Sequence, residues 1–402
     1  LQKKYTTPVL TLLVLSLVLV GMNMRAPITT LPLMLGEIAH SLSVQPGQLG
    51  LLTTIPLLMF VLVSNFAVKT MQWLGLKRAI TFSVILILIG SGLRLMTTTV
   101  AMYLGTAFIG VGIAHLNVFM PSFVTAFFPQ KVGLYTSLYT MSNMLGTAIF
   151  NIMTAPIVGQ FGWHAVMWIL VLLPALALLV WWITSQFAQP AITTDQPAET
   201  KSKVKLHVWS NPRAWALLIV FGLQALINYT YVAWMPSLMA YHHVSATTIG
   251  SLMALYSMIG MFVSLLVPSL ITHLSTKWLS ACVIGVGVFG LVSAGMLFNQ
   301  NTSSSLFWLI LAVLMGFLTS FFFLIGMTMF ADKTQTPQET ATVSGMAQSG
   351  GYLISAMGPT LYGVAFATHP TGNLQNIVYL ILVVILVTLT LMVVRVKRIF
   401  EN

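Results

Sequence analysis

The chain has 402 residues, of which 57% are hydrophobic and only 6% charged, against about a quarter charged in soluble globular proteins. A chain so poor in charge cannot cover itself for water, which excludes a soluble enzyme and makes the lipid bilayer its first partner. Its net charge of +11 does not point to nucleic acid, because no basic stripe with interleaved aromatics occurs, and the single cysteine, Cys282, offers no disulfide, metal, redox or other cofactor framework.

A helix needs about 20 mainly apolar residues to cross a hydrocarbon core about 30 Å thick. The first such run follows LQKKYTTPVL, whose basic start resembles that of a secretory leader. No small-residue cleavage site follows, so the run reads as a retained span. Apolar segments predict spans over residues 8–34, 48–68, 79–97, 101–125, 132–156 and 163–184. Residues 185–212, SQFAQPAITTDQPAETKSKVKLHVWSNP, form the long polar stretch and read as an aqueous linker. Six further spans are predicted over 213–238, 248–271, 278–297, 305–330, 341–366 and 374–395. The expected fold is all-α and integral to the membrane: twelve transmembrane helices in two six-helix bundles, 1–184 and 213–402, and a monomer.

Lys and Arg favour the cytoplasmic side of short loops. With the N-terminus inside, every Lys and Arg except Arg25 and Arg94 falls on that side. Both termini are therefore expected in the cytoplasm, with the chain in the cytoplasmic (inner) membrane. The halves also echo each other. TTLPLM then SVQPGQLGLL resembles AWMPSLM then VSATTIGSLM, aligning Pro32 with Pro236 and Gly50 with Gly250, and APIVG echoes GPTLYG. Paired halves of this kind move a substrate by alternating access, rocking about a central site.

Arg25 lies in GMNMRAPITT, at the far end of an uncharged run. Lys4 and Glu37 bracket this span, and the residues between them would make about 50 Å of helix. Arg25 thus lies in the outer half of the membrane unless the helix breaks at Pro27. A snorkelling arginine is the plain alternative, and it carries more weight for Arg94, closer to the outer end of span three. All six acids, Glu37, Asp195, Glu199, Asp332, Glu339 and Glu401, lie outside the predicted spans. The field inside the membrane is positive, which favours a small anion and disfavours export of cationic drugs.

Several spans carry polar residues three or four apart, a spacing that puts them on one helix face. Span five has Tyr139, Asn143, Thr147 and Asn151; span seven has Gln224, Asn228 and Tyr231; span eleven has Ser344, Gln348, Tyr352 and Ser355. Each stripe either lines a polar cavity or hydrogen-bonds between helices, the latter worth about 0.6 kcal/mol per bond. In span four, GVGIAHLNVFMPSF places His115 and Asn117 near mid-membrane. His115 is the ordinary side chain there that could carry a proton near neutral pH; a structural histidine is the competing reading. The candidate substrate-binding set is Arg25, Arg94, Asn117, Asn143, Asn228, Tyr231, Gln348 and Tyr352, with His115 as the candidate proton carrier.

NMRAPITTLPL, GVGIAHLNVFMP, NPRAW with AWMPSL, and SGMAQSGGYLISAMGP resemble the cyanate porter group of the major facilitator superfamily, along nearly the whole chain. That group includes bacterial cyanate and 2-nitroimidazole transporters. The resemblance implies a secondary transporter of a small anion or small polar planar molecule, or alternatively an exporter of nitroimidazole-like compounds. A channel or non-transporting receptor is the opposing class, and no ring of like charges supports it. Two departures stand out. The loop VKTMQWLGLKR keeps Gly75, Lys77 and Arg78 but has Gln72 where the superfamily usually has aspartate, and span five has Pro156 without the Gly-Pro pair of drug antiporters. With no carboxylate in any span, three coupling routes stay open: downhill passage, exchange, or proton coupling through His115 or the substrate's own acid.

Overall fold

The computed structural model describes residues 5–44, 49–128, 130–189, 208–334 and 337–400, and every regular element among them is a helix. Most of the expected linker, residues 190–207, lies outside the described residues, as do Lys3, Lys4 and Glu401. The chain begins with α1 (Thr7–Asn23), the short α2 (Ala26–Thr29), a 3-10 turn (Leu31–Met34) and α3 (Leu35–Leu42). Long helices follow: α4 (Leu51–Leu93), α5 (Thr99–Phe127), α6 (Val132–Phe161) and α7 (Trp163–Phe187). After residue 207 come α8 (Pro212–Tyr241), α9 (Ala246–His273), α10 (Thr276–Phe298), α11 (Ser305–Asp332), α12 (Pro337–Thr368) and α13 (Asn373–Arg395).

Ten helical segments among the described residues are long and apolar enough to cross a membrane, against the twelve expected. Of the remaining two, the 48–68 segment contains the shorter apolar helix Leu51–Val63. The 341–366 segment lies in α12, where SGMAQSGG puts Ser, Gln and Gly in place of the Leu, Val and Ile of other spans. The architecture is nonetheless that of a multi-pass membrane protein. One physical detail explains how α4 serves two spans: Gly75 has φ 72 and ψ 154, a conformation that L side chains rarely adopt. The helical run bends there, and residues 51–74 and 76–93 form separate arms.

Contacts divide the chain into two compact units, the first holding the described residues of 1–43 and 55–203, the second those of 44–54 and 204–402. Residues 49–54 group with the second unit because their packing partners lie there. Thr54 Oγ1 is 2.7 Å from Thr360 Oγ1, and Gly50 sits under the indole of Trp234. That buried indole donates to the Pro359 carbonyl at 2.7 Å.

In the first unit α1 packs against α6 and α7, and Ser16 Oγ meets Thr184 Oγ1 at 2.9 Å. The second arm of α4 crosses α5 with backbone against backbone. A Cβ on Gly90 or on Gly105 would overlap the carbonyl oxygen of the other. Small residues permit this approach, and dispersion between closely packed helices replaces the hydrophobic driving force that lipid does not supply. Gly105→Val is therefore expected to force the pair apart and destabilise the protein by about 1–3 kcal/mol. Thermal unfolding in detergent checks this; an unchanged melting temperature would contradict the crossing. In the second unit α8 runs beside α12, α9 beside α11 and α10 beside α13, with Ser293 Oγ and Tyr379 OH 2.7 Å apart across the last pair.

Candidate functional site

The expected first span is interrupted where its sequence demands it. Pro27 has no N–H, and in a helix its ring would collide with the carbonyl four residues earlier, that of Asn23. α1 ends at Asn23. Met24 closes it with an N–H to the Gly21 carbonyl at 3.1 Å, and Arg25 leaves the helical region at φ −131, ψ −43. The Arg25 carbonyl then accepts from the N–H groups of Ile28 and Thr29 at 2.9 and 3.0 Å, starting α2. Arg25 is thus the hinge residue of a discontinuous helix, half-buried, with its side chain at the break. Discontinuous helices form the substrate sites of many secondary transporters, since their ends offer partial charges within the membrane.

Arg94 supports that break from behind. Its side chain is 1% exposed, so it does not snorkel to the outer interface, as its sequence position near the end of a span suggested. Instead it donates from Nη1 to the Pro27 carbonyl at 2.6 Å, and from Nε and Nη2 to Thr106 Oγ1 at 3.0 and 2.9 Å. Thr106 passes its own proton to the Met102 carbonyl at 2.7 Å. The guanidinium therefore ties α2 to α5.

Helix α6 packs against α1, α2 and the 3-10 turn. On these elements four buried oxygens have no hydrogen-bond partner: Asn23 Oδ1, Thr30 Oγ1, Asn143 Oδ1 and Asn151 Oδ1. Buried polar groups are ordinarily satisfied by protein or by bound molecules; Ser91, Thr230, His242 and Gln300 carry further such atoms elsewhere among the described residues. Asn23 and Thr30 were not among the residues singled out from the sequence, although Asn23 stands two residues before Arg25.

Asn117 is exposed on α5. Val100, Leu104 and Phe108 form the exposed apolar row of the same helix, and nine residues at about 100° each carry Asn117 to the opposite face from Phe108.

His115 lies elsewhere. Its Nδ1 is 2.9 Å from the Val111 carbonyl and its Nε2 3.3 Å from Thr70 Oγ1, and the ring packs against Phe82 and Phe119. Phe82 is seven residues past the Gly75 bend, about 11 Å along the helix. The histidine thus sits on the Gly75 side of that helical arm. Phe82 and Arg94 belong to one helical arm and stand about 18 Å apart along it, so His115 is not part of the Arg25 site. Because a carbonyl can only accept, Nδ1 carries a proton in this arrangement. His115→Gln is expected to leave both counterflow and pH-driven net uptake in proteoliposomes intact. Loss of pH-driven uptake with counterflow retained would instead make it a proton relay.

The second unit carries its own polar cluster. Tyr256 donates to Asn228 Oδ1 at 2.7 Å and lies 2.8 Å from Thr319 Oγ1, while Gln224 Nε2 donates to the Thr319 carbonyl at 2.9 Å. Tyr231 stacks on Tyr256 with ring centroids 4.6 Å apart and is itself buried. Asn228 and Tyr231 are therefore brought together, through two residues the sequence did not flag. Tyr256 and Thr319 are isolated polar residues on α9 and α11, without a stripe to announce them. Gln348 donates to Ser344 Oγ at 2.7 Å along α12 and remains half-exposed. Tyr352 meets the Phe221 ring edge to face at 5.3 Å.

A family model described as Major Facilitator Superfamily matches residues 13–359. The 2-nitroimidazole transporter of Escherichia coli strain K12 is 29% identical over 356 residues, covering 87% of this chain and 87% of that protein. The cyanate transport protein CynX of the same strain is 28% identical over 272 residues, 65% of this chain and 67% of that protein. Among solved structures, a bacterial homolog of the human lysosomal transporter Spinster, in its inward-facing and unoccupied conformation, superposes with a TM-score of 0.75. It is 15% identical, and 98% of each chain is covered; that likeness speaks for the fold.

Proposed function

Since this chain belongs to the Major Facilitator Superfamily, we propose that it moves a small anion or small polar planar molecule, cyanate-like in size and charge, by alternating access. The observation that carries this reading is the break of the first span at Met24–Arg25, which sets a guanidinium at a helix discontinuity. Arg25 and Arg94 lie within the outer halves of predicted spans, Arg213 and Arg395 stand at span ends, and no acid lies in any predicted span, so the interior favours negative charge. A guanidinium is a planar fork suited to planar oxyanions. Within the first unit Asn143 and Asn117 are the further candidates, and within the second Asn228, Tyr231, Gln348 and Tyr352 are candidates in their own right. Arg94 serves the same site through Pro27.

The full topology proposed is twelve spans, both termini cytoplasmic, in the plasma membrane, acting as a monomer. The distribution of Lys and Arg supports this orientation. A second reading is favoured by the buried carboxamide oxygens of Asn23, Asn143 and Asn151. They ask for an N–H donor, which cyanate and nitrate lack and which a nitroimidazole, the class named for one relative, possesses.

Counterflow in proteoliposomes, with cyanate, nitrate, small carboxylates and nitroimidazoles inside, tests both readings. Trans-acceleration by the oxyanions supports the first, and acceleration confined to the N–H-bearing nitroheterocycles supports the second. Exchange no faster than in protein-free vesicles for the whole panel would overturn both.

A further inference from the structure

The polar cluster of the second unit contains a chain of hydroxyl groups that ends on a substrate candidate. Tyr256, on α9, and Thr319, on α11, are buried, whereas Asn228, on α8, is half-buried. The Tyr256 hydroxyl lies 2.7 Å from Asn228 Oδ1 and 2.8 Å from Thr319 Oγ1. Thr319 Oγ1 is in turn 2.9 Å from the Met315 carbonyl, one helical turn back. Two contacts hold this chain in place: Tyr231 stacks on the Tyr256 ring, and Gln224 Nε2 donates to the Thr319 carbonyl. Asn228 Nδ2, at the open end, makes no hydrogen bond among the described residues.

The hydroxyl protons decide what Asn228 presents. Tyr256 and Thr319 each have one, and a carboxamide has a donor end and an acceptor end. In one arrangement Thr319 donates to Tyr256 and Tyr256 to Asn228 Oδ1, so Nδ2 faces outward as a donor. In the other, Thr319 donates to the Met315 carbonyl and Tyr256 to Thr319. The Tyr256 oxygen then accepts from Asn228 Nδ2 after a half-turn of the carboxamide, and Oδ1 faces outward as an acceptor. The two ends of a carboxamide have nearly the same shape, and Tyr256 both donates and accepts in either arrangement. Met315 lies inside α11, whose backbone ladder engages its carbonyl without help from Thr319.

We propose that Tyr256 and Thr319 are positioning residues that turn Asn228 between donor and acceptor. The same contact then takes acceptor-only anions, such as cyanate or nitrate, and small polar molecules that offer an N–H. This rests on the reading of Asn228 as a substrate contact. A group fixed in one sense rejects the other class, because two donors or two acceptors face to face leave both unpaired. A carboxamide that turns with its relay does not impose that cost.

The test measures dissociation constants of the purified full chain for nitrate, for 2-nitroimidazole and for its N1-methyl derivative, which lacks the N–H. The wild type is expected to bind nitrate and to prefer 2-nitroimidazole over the methylated compound. Thr319→Val removes the oxygen that takes the Tyr256 proton, which holds Asn228 with its donor outward. The preference for 2-nitroimidazole over the methylated compound should then fall about fivefold, with nitrate affinity kept. Thr319→Ala should act in the same direction should the valine variant fail to fold. Thr319→Ser keeps the hydroxyl and should restore the wild-type ratio, and Tyr256→Phe, which releases Asn228, should weaken both classes. A wild type that binds neither nitrate nor 2-nitroimidazole overturns the reading of the contact together with the relay. Binding of one class alone by the wild type, or a preference unmoved in Thr319→Val and Thr319→Ala, overturns the relay alone. Equal loss of nitrate and 2-nitroimidazole in those variants would make Thr319 a packing residue and overturn the relay as well.

Discussion

Arg25→Gln is expected to reduce substrate uptake in proteoliposomes at least about thirtyfold, with membrane insertion and melting temperature close to wild type. Removing one member of a hydrogen-bonded charge pair costs about 2–5 kcal/mol of binding when the pair is buried, and in the proposed site the substrate is the anion that Arg25 binds. The break itself is set by Pro27 and by the Arg25 backbone, which the substitution keeps. Arg25→Lys should retain part of the activity, since an ammonium keeps the charge but loses the two-pronged geometry. Uptake by Arg25→Gln equal to wild type would assign Arg25 to helix structure.

The second large effect belongs to Arg94. Arg94→Gln removes a charged group that makes three hydrogen bonds, to the Pro27 carbonyl and twice to Thr106 Oγ1. Hydrogen bonds to charged groups are worth about 1.5–3 kcal/mol each in isolation, with partial compensation when the partner finds another. A loss of about 2–4 kcal/mol in unfolding free energy is expected on that scale. Transport per folded molecule should fall as well, because α2 is no longer held and Arg25 loses its placement. Thr106→Val should weaken stability in the same direction but less, since the Pro27 bond survives. Destabilised Arg94→Gln that transports at the wild-type rate per folded molecule would make Arg94 a packing residue with no bearing on the site.

How legible these features are from sequence depends on whether their partners are local. The break in the first span follows from Pro27 and the carbonyl four residues before it, so both the residues and the geometry lie in GMNMRAPITT. The bend at Gly75 is likewise local, resting on one backbone angle. Arg94 is different: Thr106 is on the next helix and Pro27 two helices earlier, in α2, and nothing in IGSGLRLMTTT distinguishes a latch from a snorkelling group. The surroundings of His115 are non-local for the same reason: its contacts are Thr70 and Phe82, on the two arms of α4. The polar stripes on α6, α8 and α12 were visible by spacing. Tyr256 and Thr319, which engage Asn228, were not, because each is a lone polar residue on its helix face. The grouping of residues 49–54 with the second unit depends on Trp234 and Thr360, far along the chain.

The central claim is that the break in the first span binds the substrate through Arg25. The most direct measurement is the rise in melting temperature produced by the best-exchanging compound, in wild type and in Arg25→Gln. A ligand at about a thousand times its dissociation constant stabilises the folded state by about 4 kcal/mol, well within reach of a thermal scan. The account predicts a clear, concentration-dependent rise for the wild type and none for Arg25→Gln at the same concentrations. An equal rise in both proteins would place the substrate elsewhere and contradict the account.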